Sequence, residues 1–447
     1  MTIDRIKINI KGRTTFLYLF LFAGAFNDLL RLGTSSINLF RILLPVAIIV
    51  TLVGSTGARK VFLVAAIVGL VSFIQSLVFC SINEIGVRFS AERYFSYLLL
   101  YAGIAAVVAA VVMLHEQDSK NFFRSFSNFA MVVGICYLLV FMAIYHTHYD
   151  YSPTFILINN PNDYGAVIAA IIPVFYFRSK KSRHPLLLLA YIPVAMLYLV
   201  LNDCKLVLLG VLAQFLIVAY LEIRNRAYRY RRMILLPAIL IFIIILIVVD
   251  ALDVSLHGYS WKETIVEPIK ALFRGEMYMQ SNTSVLYRIN TIIASIQWMF
   301  NSCFLGVGIG NAGALMRNVL GSHGLYGDWL VNETVSLHNA FLETLLDFGF
   351  VAIIGLVLLI RKIIHVLRNS VLDNMQMCFL TVVFSAVLWL QAPSVVLTDY
   401  MIFAIMAFLL AAISDKQTDT IRSDIMVLAN GMPANGNRVS AEKGAER

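Results

Sequence analysis

Charge is scarce in this chain. Asp, Glu, Lys and Arg make up 14% of its 447 residues, against a hydrophobic share of 60% and a mean hydropathy of +0.81. Soluble globular domains carry roughly 25% charged and 45–50% apolar residues, so a water-soluble enzyme is excluded. Cysteine is scarce as well. Cys80, Cys136, Cys204, Cys303 and Cys378 stand singly and offer neither a disulfide framework nor metal-ligand spacing. The chain has no GxSxG elbow, no P-loop and no HExxH string. No internal repeat stands out, which weakens an inverted-repeat transporter reading.

What the chain has instead is long apolar blocks. Twelve lie at about 14–30, 38–56, 61–80, 94–114, 126–145, 163–177, 185–201, 206–222, 234–250, 340–360, 375–392 and 399–413. Each is near the ~20 residues that cross a ~30 Å hydrocarbon core. The expected fold is an all-α polytopic membrane protein with about 12 transmembrane helices and one large extracytoplasmic loop carrying amphipathic helices. The first block follows Arg5, Lys7, Lys11 and Arg13 with no clean small-residue cleavage site, so it reads as a retained anchor.

The net charge of +9 invites a nucleic-acid reading, but the charge is placed otherwise. With both termini in the cytoplasm, 25 of the 35 Lys and Arg residues fall on the cytoplasmic side. Arg224, Arg226, Arg229, Arg231 and Arg232 are the strongest anchor of that topology. Acidic headgroups are the natural partner of this excess, and no nucleic acid is called for.

Four regions follow: spans one to nine over 1–250, an extracytoplasmic loop over 251–337, spans ten to twelve over 338–413, and a polar tail over 414–447. The tail contains "NGMPANGN", lacks apolar periodicity and reads as disordered. The loop is 87 residues long, and loops beyond about 12–15 residues are uncommon and often functional. Within it, Ile289, Ile292, Ile293 and Ile296 recur at helical spacing. Such a segment can lie flat in the membrane interface or pack on the bundle, and the two are compatible.

The loop's end, "SLHNAFLETLLDFGF" over 336–350, is the most informative stretch. His338 stands where the loop meets the tenth block, and an imidazole with a pKa near ~6.5 is the commonest general base. The plainer alternative is a His338–Asn339 pair capping a helix start. Asp347 lies nine residues on, two and a half turns, so it is roughly opposite His338 and is expected to hold a neighbouring helix. Glu343 stays open between the same readings.

Cations on the outer side are the second feature. Arg288 opens the amphipathic segment, Lys205 lies in "LNDCK", and Arg317, Arg274, Arg88, Arg93 and Arg31 complete the pool. A phosphate-bearing ligand would account for them, since Arg binds phosphate bidentately and Lys acts as a point charge. The alternative is pairing with Asp28, Glu84, Asp203 or headgroups. "GIGNAG" over 308–313 matches G-x-G-x-x-G, but a dinucleotide site needs a βαβ setting, so a turn is expected. "NNPNDYG" over 159–165 opens the sixth block, where Asn160, Asn162 and Asp163 can cap a helix and Pro161 can sit in the turn.

Together these residues resemble the O-antigen ligase and polymerase family of bacterial inner-membrane glycosyltransferases. "YRINTIIASIQWMFNSCFLGVGIGN" (287–311) resembles the family's Arg, amphipathic stretch and glycine turn. "HNAFLETLLDFGF" (338–350) resembles H-N-x-x-L-x-x-L-x-E-x-G, and "NNPNDYG" resembles an Asn-rich span start. The chain departs from the family with Cys204-Lys205 in place of Ser-Arg and with Asp347 in place of Glu.

The resemblance implies a donor glycan on undecaprenyl diphosphate and an acceptor that is either a glycan or a lipid A-core. It also implies membrane lipids and a chain-length regulator as partners, with no cofactor and no metal. His338 and Arg288 would be catalytic. Lys205, Arg317, Asn339 and Asn162 would bind the diphosphate or the glycan. The expected reaction is metal-independent and inverting, with cations stabilising the leaving group. A repeat-unit polymerase is preferred. A ligase to lipid A-core and a transporter or flippase for lipid-linked glycan remain as rivals.

Overall fold

The computed structural model describes residues 10–26, 38–82, 86–145, 161–201, 204–225, 284–322, 337, 339–369, 371–391 and 400–414. Among these residues the regular structure is helical: α1 (Ile10–Ala25), α2 (Leu39–Gly54), α3 (Thr56–Ile82), α4 (Ala91–Gln117) and α5 (Ser119–Tyr145) come first. Then follow α6 (Pro161–Ser179), α7 (Pro185–Leu189), α8 (Tyr191–Leu201) and α9 (Lys205–Asn225). Last come α10 (Ser284–Asn301), α11 (Ala312–Ser322), α12 (Ala340–Phe348), α13 (Phe350–Leu367), α14 (Asn374–Trp389) and α15 (Tyr400–Ser414).

Helices stand over eleven of the twelve apolar blocks; the ninth, 234–250, and the tail beyond 414 lie outside the described residues. Among the described residues five helices (α3, α4, α5, α9 and α13) are long and apolar enough to cross a membrane. The most hydrophobic stretches of α3 and α13 are only 11% and 6% buried. In water such faces would aggregate; in a bilayer they are the lipid-facing surface. The chain is thus an all-α membrane protein.

Local chemistry sets the helix starts. Asn38 accepts the Arg41 N–H at 2.9 Å, and Ser90 accepts the Arg93 N–H at 3.3 Å. Asp373 and Gln376 form a reciprocal capping box at α14. The main core joins α1, α2, α4, α5, α6, α8, α9, α14 and α15. Inside it Gln214 of α9 donates to the Ala169 carbonyl of α6 at 2.8 Å and to the Ser385 hydroxyl of α14 at 3.1 Å. The Trp389 indole N–H also donates to Ser385, at 2.9 Å.

Two blocks that read as continuous are broken. The seventh is two helices, α7 and α8, meeting at Ala190. The tenth is split at Gly349 (φ +54°), which ends α12 and begins α13. Asp347 therefore sits at the end of a nine-residue helix ahead of the spanning helix, and not within a continuous span.

Candidate functional site

The second packing centre gathers α10, α11 and α12 against the C-terminal half of α3 and the N-terminal half of α4. Residue 308 is at its heart. Between α10 and α11 the chain passes through Gly306, Gly308 and Gly310, all with φ near +80°, a region open to glycine at no steric cost. The Val307 N–H donates to the Leu346 carbonyl at 2.7 Å and the Gly308 N–H to the Asp347 carbonyl at 2.9 Å. Ile309 N–H donates to the Ser72 hydroxyl at 2.7 Å, and the Gln75 amide donates to the Phe348 carbonyl at 3.2 Å. The G-x-G-x-x-G string is thus a tight turn, as its setting suggested, and α3 and α12 hold it in place.

Asp347 fixes that turn from below. Its carboxylate accepts the Gly310 and Ala312 N–H groups, each at 3.2 Å, and lies 3.4 Å from the Tyr101 hydroxyl. The contact with Ala312 puts the negative charge at the first residue of α11, where the helix dipole favours it. The expectation that Asp347 holds a neighbouring helix is met, through the loop as well as through α11. Replacing Asp347 by alanine leaves buried N–H groups unmet and is expected to cost about 1.5–3 kcal/mol. A lower apparent Tm of the full-length protein in nanodiscs checks this.

Arg288 lies in the second turn of α10 and is half-buried; burial lowers its pKa from the usual guanidinium value. The helix turns Asn290, Thr291, Ala294 and Ser295 inward and leaves Ile296 and Phe300 exposed. Small polar groups inside and large apolar ones outside is the arrangement of an element bordered by lipid. The Thr291 hydroxyl is 2.8 Å from the Arg288 carbonyl and 3.4 Å from the Leu337 carbonyl. The Arg288 turn therefore meets the residue just before His338 in sequence. His338 itself lies outside the described residues.

Asn339 is the cap of α12, its side-chain oxygen accepting the Leu342 N–H at 3.1 Å. Asn339 thus supplies a cap, as suggested for the His–Asn pair. Arg317 is half-buried on α11, which packs on α10 and α12. Arg288, Arg317 and Asn339 belong to one cluster of packed helices.

Lys205 and Asn162 form a second group. Lys205 begins α9 and Asn162 is the second residue of α6, as a start at Pro161 fits. The two starts meet: a Cβ on Gly165 would touch Cys204 Sγ and Val207, each at 3.4 Å. Among the described residues α9 packs on α6, α8 and α14 and has at most marginal contact with α10, α11 or α12. The described residues do not bring Lys205 and Asn162 to Arg288.

Several site residues escaped the sequence reading. The Arg93 guanidinium, earlier one of an undifferentiated pool, donates to Asn311 Oδ1 and to the Arg88 carbonyl, each at 2.8 Å. Tyr97, Tyr101, Ser72 and Gln75 also line the cluster. Their signal was present in the sequence. Tyr94, Tyr97 and Tyr101 recur at helical spacing inside an apolar block, as do Ser72, Gln75 and Ser76. Among the described residues no three His, Cys, Asp or Glu side chains gather as a metal site would need.

Residues 190–357 match the model of the O-antigen ligase family. Neither a curated protein nor a solved structure matches the chain. The matched stretch includes Lys205, Arg288, Arg317, His338 and Asn339, and it leaves Asn162 outside. Helix-rich and lipid-facing, the chain is a membrane protein that is similar over residues 190–357 to the O-antigen ligase family.

Proposed function

We propose that the protein transfers a glycan from undecaprenyl diphosphate to an acceptor hydroxyl on the outer face of the bacterial inner membrane, with both termini cytoplasmic, and that it works as a repeat-unit polymerase. The observation that carries this reading is the junction of α10 with the start of α12. It sets the Arg288 turn against Leu337, one residue before His338. A cation for a leaving diphosphate and a base for an attacking hydroxyl then come from adjoining elements.

In this scheme His338 takes the proton of the acceptor hydroxyl as its oxygen attacks the anomeric carbon. The bond from that carbon to the diphosphate oxygen breaks with inversion, and undecaprenyl diphosphate leaves. Arg288 stabilises the negative charge that gathers on the departing oxygen, with Arg317 in support. Arg317 belongs to the same helix cluster. Lys205 and Asn162, at the meeting of α6 and α9, would serve the glycan or diphosphate farther along the substrate. Asn339 fixes the start of α12. The reaction is expected to survive EDTA; loss of transfer restored by Mg²⁺ would contradict cation-only stabilisation.

Complementation in the producing host tests the reading, with surface glycan resolved by length on a gel and membrane levels confirmed. If the His338→Ala and Arg288→Ala variants leave a single repeat unit on the core, the enzyme is a polymerase. Long chains held on the lipid carrier, with none on the core, identify a ligase instead. Unchanged glycan in both variants would sink the catalytic assignment.

A further inference from the structure

Arg93 stands in the first turn of α4, where that helix meets the glycine turn. Its Nη2 donates to Asn311 Oδ1 and to the Arg88 carbonyl, each at 2.8 Å. Asn311 is 3% exposed, and its own amide donates to the Val307 carbonyl at 2.8 Å, which fixes its orientation. Gly310 leaves room for the arrangement, since a Cβ there would lie 2.9 Å from the Tyr97 ring and 3.4 Å from Arg93 Cγ. The guanidinium is therefore held in place by the turn on one side and by the backbone of Arg88 on the other.

Both of its acceptors are neutral. Among the described residues no carboxylate comes within 4.0 Å of the Arg93 guanidinium, and its Nε and Nη1 donors meet no acceptor. Asp347 is within electrostatic reach, but its oxygens are taken by the Gly310 and Ala312 N–H groups and the Tyr101 hydroxyl. Glu92, next in sequence, is exposed and bonds to neither arginine. Half-buried charges are ordinarily matched by an opposite charge, and Arg93 has a fixed position with no anion beside it.

Arg88 adds a second cation. Its side chain is exposed and without a partner among the described residues, and the bond to its carbonyl keeps it next to Arg93. Val87 before it is buried in the second packing centre, whereas Phe89 and Phe95 are exposed. Exposed rings beside cations at the end of a lipid-facing helix are the arrangement of the headgroup level, where acyl chains give way to phosphate. In the topology proposed above this end is the outer one, where positive-inside bias leaves few cations.

We propose that Arg93 and Arg88 form a binding site for the phosphate of a membrane lipid, with Arg93 as the preset donor and Arg88 as the second charge. Phosphate oxygens would take the Nε and Nη1 donors that the fold leaves open. A lipid held there lies at the turn that joins α10 and α11, the helices bearing Arg288 and Arg317. Two lipids carry this chemistry, polyprenyl diphosphate and an anionic phospholipid. The site itself stands apart from the transfer reading; only the first of these occupants rests on it.

The test uses the full-length protein in maltoside detergent, which carries no phosphate. Binding of added polyprenyl diphosphate and of phosphatidylglycerol is titrated separately by native mass spectrometry. Arg93→Gln and Arg88→Gln are each expected to weaken binding by about tenfold or more, and Arg93→Lys by less. Arg88→Gln keeps the backbone carbonyl that Arg93 uses, so it tests the site without disturbing the fold. Arg361→Gln, on the last two turns of α13, is the control and should bind as the wild type does. Weakening confined to polyprenyl diphosphate identifies the donor as the occupant, and weakening confined to phosphatidylglycerol identifies a bulk lipid. Unchanged binding of both lipids in Arg88→Gln and Arg93→Gln overturns the proposal, and so does an equal loss in Arg361→Gln. Should glycosyl transfer itself prove absent, these titrations still judge the site.

Discussion

Replacing His338 by alanine is expected to lower glycosyl transfer by about 10²- to 10⁴-fold, the range that a general base contributes. The protein should still reach the membrane at its normal level. The reason lies at position 339. Asn339 caps α12, its side-chain oxygen accepting the Leu342 N–H at 3.1 Å, and this cap is kept when position 338 is changed. Asn339→Ala should lose about 1 kcal/mol of stability from the missing cap. If His338→Ala lowered the amount of folded protein and left specific activity intact, the base assignment would fail. Arg288→Ala should also abolish transfer, whereas Arg288→Lys keeps the charge, loses the fork and should retain a small part of the activity.

Gly308→Ala is expected to be among the most damaging single substitutions in the chain. A Cβ there would lie 2.5 Å from Ser76 N and 2.6 Å from Ser76 Cα, which are backbone atoms of α3 and cannot rotate away. The residue also sits at φ +82°, where an L side chain adds about 1–3 kcal/mol of strain. The turn would have to leave α3, and with it go the Gly308 N–H bond to the Asp347 carbonyl and the Ile309 N–H bond to Ser72. A loss above about 4 kcal/mol is expected, read as poor recovery of folded protein and a large fall in apparent Tm. A Gly308→Ala protein with wild-type Tm would show that the loop does not dock on α3 in this way. Gly321→Ala is the matched control, since nothing lies within 4 Å of a Cβ at that glycine.

Much of the fold was legible because a membrane helix needs only a run of apolar residues, and such runs can be seen in the sequence without any partner. The helix over 374–389 matches its block closely, with Asp373 and Gln376 marking its start. The break at Gly349 was not legible. "DFGF" continues an apolar run, and the glycine ends the helix only because Leu305 and Gly306 approach it from the loop. That approach joins positions more than forty residues apart, which no periodicity reports.

The isoleucine stripe of α10 was seen, but the direction it faces was not. Ile296 is exposed while Ile289, Ile292 and Ile293 are half-buried, and Asn290, Thr291 and Ser295 take the inward face. At the site, Arg288 and the 338–350 motif were readable from charge placement and spacing. Arg93 and the tyrosines of α4 were not singled out, because their partners Asn311 and Asp347 lie more than two hundred residues away.

The central claim is that the chain breaks the bond between the glycan and its lipid diphosphate, and does not merely carry the intact lipid across the bilayer. The most direct measurement reconstitutes the full-length protein in vesicles with the polyprenyl-diphosphate glycan extracted from the producing cells. Free polyprenyl diphosphate and new glycosidic bonds are then counted together. The account predicts one diphosphate released for each bond formed, with both lost in Arg288→Ala and His338→Ala. Glycan-lipid appearing in the opposite leaflet with its diphosphate linkage intact, and no release, would contradict it and make the protein a transporter.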